Sequence, residues 1–187
     1  MPLGTVIFLN GTSSSGKTSI SLELQQILDE PYLHISVDKF LYMLPVDYLN
    51  GGKPADTTKD AVLKVIKGMH HALPALVATG NNIIVDHVLE ERQWLDECVM
   101  LLADYKVLFV SVICSLEELK RREMERGDRN IGLANYQYNL VHIHGIYDLE
   151  INTELNKTQE CAHQIKKYLN DNPHSNAFKA LKQSSGN

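Results

Sequence analysis

Cysteine is scarce in this chain, positive charge is in deficit, and no apolar run is long enough to cross a bilayer. The three cysteines, Cys98, Cys114 and Cys161, are odd in number and form no C-x-x-C pair. That spacing excludes a disulfide framework and a zinc ribbon, and leaves free thiols in a reducing compartment as the expectation. Eighteen Lys and Arg stand against 23 Asp and Glu, a formal charge of −5 with a sequence pI near 5.9. A nucleic-acid partner demands a basic face, so none is expected. No stretch approaches the ~20 apolar residues of a membrane span. The N-terminus shows no charged segment followed by an apolar core, so no secretory signal is expected and a cytoplasmic location is. Eight histidines include no H-E-x-x-H pattern, so a structural metal is not expected either.

What is present is the stretch Gly11-Thr12-Ser13-Ser14-Ser15-Gly16-Lys17-Thr18, followed by Ser19. It fits G-x-x-x-x-G-K-[ST], a loop whose backbone N–H groups surround phosphate. The apolar, β-rich run Thr5-Val6-Ile7-Phe8-Leu9-Asn10 precedes it, and Ile20, Leu24, Ile27 and Leu28 recur behind it at helical spacing. A strand, a glycine turn and a helix N-terminus together make an anion site. Lys17 is suited to the β- and γ-phosphates, and the Thr18 hydroxyl to Mg²⁺. The stretch implies a bound nucleotide.

Strand and helix patterns alternate along the rest. Strands are expected at 32–37, 83–86, 106–114 and, as a last strand at a sheet edge, 147–152. Helices are expected at 39–44, 59–78, 91–103, 116–126, 133–144 and 158–169. Such alternation predicts an α/β fold with a five-stranded parallel sheet flanked by helices. One domain is expected over 1–170, with a lid at about 121–135. The polar segment 171–187 reads equally as a frayed tail or a packed appendage.

Ligands of parallel sheets bind outside the carboxyl ends of the strands, where Lys17, Asp38 and Asp86 are expected to meet. Asp86 ends an apolar strand in the manner of a Mg²⁺-binding aspartate, or else caps the turn that follows. Asp38 has the position either of a carboxylate that takes a hydroxyl proton or of the N-cap of the helix after it. Arg122 and Arg126 share a helix face and Arg129 lies beyond Gly127, which suits a phosphate-gripping lid or a solvated charged face. His142 and His144 are expected to be packed or solvated.

Beyond the phosphate loop, the chain carries Val37-Asp38-x-Phe40, Ile83-Ile84-Val85-Asp86-His87, Arg122-Glu123 with Glu125-Arg126-Gly127-Asp128-Arg129, and Tyr147-Asp148-Leu149-Glu150. In that order, over about residues 4–169, it resembles the chloramphenicol phosphotransferase family. The resemblance implies a small P-loop kinase, similar in fold to nucleoside monophosphate and shikimate kinases, that uses ATP and Mg²⁺ to phosphorylate a hydroxyl of a small molecule such as chloramphenicol, inactivating the antibiotic. It carries the catalytic aspartate onto Asp38 and the lid arginines onto Arg126 and Arg129. The chain departs from the family at His87 and in the acceptor-side loop 46–59. Competing readings are a kinase of another small alcohol, a nucleoside or a polynucleotide, and an ATP-dependent switch without phosphotransfer. A GTPase reading fails because Asn156-Lys157-Thr158-Gln159 lacks the aspartate of N-K-x-D. The edge strand leaves a homo-oligomer open.

Overall fold

In the computed structural model the described residues are 2–126, 132–143, 145–172 and 174–184. Five parallel strands form one sheet: β1 (Thr5–Asn10), β2 (Tyr32–Ser36), β3 (Asn82–His87), β4 (Lys106–Ile113) and β5 (Leu149–Asn152). Their order is β2-β3-β1-β4-β5, with the first strand at the centre. β1 pairs β3 in the register Leu9↔Asp86 and β4 in the register Leu9↔Val110.

Both faces of this sheet are covered, so its inner strands read as unbroken apolar runs rather than as alternation. The pleat sends successive side chains to opposite sides. Val6 and Phe8 therefore enter one core with residues of α4 (Ala55–Ala78), α5 (Arg92–Leu102) and α9 (Ala177–Ser184). Ile7 and Leu9 enter the other, against α1 (Lys17–Ile27) and α8 (Thr158–Asp171). All three cysteines are buried and free. Among the described residues no helix is long and apolar enough to cross a membrane.

Several boundaries differ from the sequence reading. β2 ends at Ser36, because the backbone turns at once into α2 (Val37–Leu41). The loop expected at 46–58 holds α3 (Val46–Leu49) and the first turn of α4, which starts at Ala55 behind Pro54, a residue whose fixed φ suits a helix entry. α7 spans only Leu133–Tyr138 and gives way to turns instead of running to 144. α6 (Leu116–Arg126) falls where expected.

In the segment after α8, the residues of α9 pack onto the sheet. Phe178 is 2% exposed, its ring 5.6 Å from Phe8 and 5.0 Å from Phe109. Asp148, just before β5, holds α9 in place. Its Oδ1 accepts from the amides of Asn176 and Ala177 at 2.8 and 3.0 Å, and its Oδ2 from the Phe109 amide at 2.8 Å. Phe178→Ala should cost roughly 3–5 kcal/mol, read as an earlier urea midpoint at unchanged m-value. A shift equivalent to less than ~1 kcal/mol, the scale of a surface substitution, would mean that α9 does not complete the core.

Candidate active site

The loop between β1 and α1 takes its form from backbone that only certain residues tolerate. Gly16 has φ 93° and Ser14 φ 64°, both left-handed. At Gly11 a Cβ would overlap the carbonyl oxygen of Val112, so the central strand can approach β4 here only with glycine. Lys17, 6% exposed, folds its ammonium onto the carbonyls of Gly11 and Thr12, each at 2.8 Å. The Ser14 and Ser15 hydroxyls are buried without a hydrogen-bond partner among the described residues. Such a loop fits phosphate: it offers amides, a cation and hydroxyls around one concavity.

Asp86 meets this loop from β3. Its Oδ2 accepts from the Thr18 hydroxyl at 2.6 Å, and its Oδ1 is 3.9 Å from the Lys17 ammonium. The imidazole Nε2 of His34, on β2, lies 3.7 Å from Oδ2. Burial opposes ionisation of Asp86, but His34, Lys17 and Thr18 outweigh it and hold the carboxyl below its ordinary range. A hydroxyl and an ionised carboxylate are hard oxygen donors, the set Mg²⁺ takes when phosphates and water complete its shell. Among the described residues no group of three or more His, Cys, Asp or Glu could hold a metal unaided.

A cleft of about 740 Å³ opens along the carboxyl ends of the strands. Ser13, Ser14, Gly16, Lys17, Thr18 and Ser19 form its floor, while Gly11, Thr12 and Ser15 lie in the turn behind them. Asp38 and Asp86 line it, and so does Arg126. Asp38 is not the N-cap the sequence allowed. Ser36 is: its hydroxyl accepts from the Lys39 amide at 3.3 Å, and Asp38 sits in the first turn of α2 instead of ending β2. Arg129 lies outside the described residues, as do Gly127 and His144. His142 does not line the cleft. It packs against Tyr147, with Nδ1 3.0 Å from the phenol, and burial takes its pKa down to about 4.

The sequence reading misplaced one contributor and missed two others. Arg122, given to the lid, grips the β5–α8 loop through the Thr153 hydroxyl at 3.0 Å and carbonyl at 2.8 Å, and Thr153 in turn donates to the Ser15 carbonyl at 2.8 Å. Gln137, buried on α7, accepts from the Ser13 amide at 2.7 Å. Glu90, beyond β3, accepts from Gln137 Nε2 at 2.6 Å. No spacing rule links residues 124 and 47 positions apart, so nothing in the sequence pointed to them. A fourth feature runs back from the cleft wall: His87, in the lining, has Nε2 2.8 Å from His70 Nε2, and His70 Nδ1 is 2.6 Å from Glu97. Burial, reinforced by the neighbouring His70, takes the His87 pKa down to about 3.

The chain matches the model of the family described as chloramphenicol phosphotransferase-like protein over residues 4–170. Two Mycobacterium tuberculosis proteins, from strains CDC 1551 and H37Rv, carry names that assign them O-phosphotransferase activity. Each is 31% identical to it over 98% of this chain and 90% of its own. Among solved structures, the M. tuberculosis APS kinase in complex with AMPPNP and APS superposes with a TM-score of 0.68 at 16% identity, covering 91% of this chain and 99% of that one. A gluconokinase from Sinorhizobium meliloti gives 0.64 at 16% identity, covering 97% of each. These two likenesses establish the fold.

The buried histidines carry a pH signature. The unfolded chain takes up a proton at His87 near pH 6.5, whereas the folded one refuses it down to about 3. The contribution is therefore complete above pH 6.5 and is lost as pH falls across that window, by up to ~1.4 kcal/mol per pH unit. Urea melts from neutral pH to pH 4 should show this decline, and His87→Phe should flatten it. An equal slope in the variant would remove His87 as its source.

Proposed function

Since the chain belongs to the chloramphenicol phosphotransferase-like family and is a P-loop phosphotransferase, we propose that it moves the γ-phosphoryl group of ATP to a hydroxyl of a small, largely apolar molecule, chloramphenicol or a similar compound. The observation that carries this reading is the composition of the cleft on the β2–β3 side of the phosphate loop. Val37, Leu41, Val62, Ile66, Val88 and Trp94 wall it, Asp38 enters it, and among the described residues α2, α4 and the β3–α5 segment contribute no lysine or arginine to its lining. Acceptors that carry phosphate, sulfate or carboxylate would need such a cation. An apolar alcohol does not. The acidic net charge likewise gives no support to a polynucleotide acceptor.

In this reading Lys17 and the amides of residues 14 and 16–19 hold the triphosphate, and Thr18 with Asp86 would hold Mg²⁺, which supplies charge neutralisation on the β- and γ-phosphates. Asp38 accepts the hydrogen bond of the acceptor hydroxyl and takes its proton as the new O–P bond forms and the bond to the β-phosphate oxygen breaks. Lys17 leaves the Gly11 and Thr12 carbonyls to follow the phosphates. Arg126, in the last turn of α6, steadies the charge that develops on the transferred group, with Arg129 assigned to the same task on sequence resemblance alone. Phosphorylation of the hydroxyl would inactivate the antibiotic when chloramphenicol is the acceptor.

Mass spectrometry of a panel of hydroxylated antibiotics and metabolites incubated with ATP should reveal an acceptor that gains one phosphoryl group. With that acceptor, Asp38→Asn should bind ATP and melt close to wild type, since Ser36 caps α2, yet lose ~10²–10⁴ in transfer rate. Retention of most of the activity would move the base elsewhere. Lys17→Ala should lower the rate by ~10²–10³. Wild-type turnover in that variant would refute its role.

A further inference from the structure

The cleft holds a carboxylate, besides Asp38 and Asp86, that phosphotransfer to the reacting hydroxyl does not use. Glu90 lines it beyond the end of β3, half-buried among apolar neighbours. Burial lifts its carboxyl above the ordinary range against the pull of Gln137. A leucine would pack there at less cost, because removing a carboxylate from water is unfavourable unless a partner repays it.

Gln137 gives that carboxylate one orientation. The Ser13 amide can only donate, so it takes Oε1 of the Gln137 side chain, and Nε2 must then face Glu90. Both bonds are short, 2.7 and 2.6 Å, and Gln137 is 3% exposed. The three residues form a strut from the phosphate loop through α7 to the acceptor side of the cleft. It uses one Glu90 oxygen, and the second, Oε2, has no hydrogen-bond partner among the described residues.

We propose that Glu90, held by Gln137, is a specificity-determining residue that accepts a hydrogen bond from a second donor on the acceptor, a hydroxyl or an ammonium group distinct from the hydroxyl that is phosphorylated. The assignment rests on the phosphotransfer reading above and adds to it what the rest of the acceptor must carry. Because the strut begins at Ser13, an acceptor seated on Glu90 is positioned relative to the phosphate loop and not only to the cleft wall.

Three alcohols on one phenylpropanol frame test this, bearing at the benzylic carbon a hydrogen, a hydroxyl or an ammonium group. Initial rates with ATP give kcat and KM. Calorimetry on protein loaded with a non-hydrolysable ATP analogue gives Kd without phosphotransfer. Wild type should favour the hydroxyl and ammonium compounds over the hydrogen compound by roughly tenfold to a hundredfold, the worth of a hydrogen bond to a charged group. Most of that should appear in KM and Kd.

Glu90→Gln turns the free oxygen into an amide donor, and should abolish the ammonium preference while leaving KM for the hydrogen compound nearly constant. Glu90→Leu should abolish both preferences, and Gln137→Leu should weaken them. A purely structural role would depress all three compounds together, and circular-dichroism melts identify any variant that fails to fold. Absence of a preference in wild type, or its persistence in folded Glu90→Gln and Glu90→Leu, overturns the proposal. Absence of transfer to every alcohol, with the ranking in Kd intact, would refute the phosphotransfer reading and leave the Glu90 contact standing.

Discussion

A hydrogen bond of 2.6 Å from the Thr18 hydroxyl to Asp86 joins the phosphate loop to the neighbouring strand. It exists because β1 and β3 are paired in the register that sets Leu9 beside Asp86. A shift by one residue would turn Asp86 into the apolar core and bring Val85 to the loop. The same register aligns Ser36 with Asp86 across β2, and so decides where α2 begins and where Asp38 stands. Thr18 after β1, Asp86 near the end of β3 and Asp38 after β2 are thus brought to one edge by backbone pairing between apolar strands.

The centre of the fold was legible in the sequence and its periphery was not. Residues 5–10 and 106–114 are apolar runs bounded by clear turns, so strand type, parallel pairing and the phosphate loop could be read directly. Asp38 was legible as a residue but not as a conformation. Its alternative role as a cap depended on a helix start two residues too late, since the competition between Ser36 and Asp38 for the cap is decided by where β2 stops. α9 was hidden by composition: Ala177, Phe178 and Leu181 are spaced for one helix face, but polar and helix-breaking neighbours dilute the signal. Gln137 and Glu90 act through partners distant in the chain, and local periodicity carries no information about them; Arg122 was legible as a residue of the α6 face, but not as a partner of Thr153.

Charge is divided sharply within the cleft. Lys17, Arg122, Arg126 and Lys157, with Glu125 among them, line the parts contributed by the phosphate loop, α6 and the β5–α8 loop. On the β2–β3 side the lining carries Asp38, Asp86 and Glu90 and no lysine or arginine. Under the phosphotransfer reading, anionic phosphates and an acceptor would meet fields of opposite sign in one continuous space. A bound nucleotide would bring its own negative charge to the boundary, so a cationic acceptor would bind more tightly once the triphosphate is in place than before. That coupling needs no hinge.

The central place of β1 also governs how the molecule is made. Val6 finds one sheet partner at Ile83 and the other at Val107, so the central strand emerges from the ribosome long before either neighbour exists. Until about a hundred more residues have been synthesised, Val6, Ile7, Phe8 and Leu9 have no sheet to enter. At ordinary rates of elongation this interval lasts several seconds, ample time for an unprotected strand edge to find another chain. The nascent protein is therefore a natural client for a holding chaperone, and its yield in a foreign host should depend more on translation speed and temperature than on the stability of the finished fold.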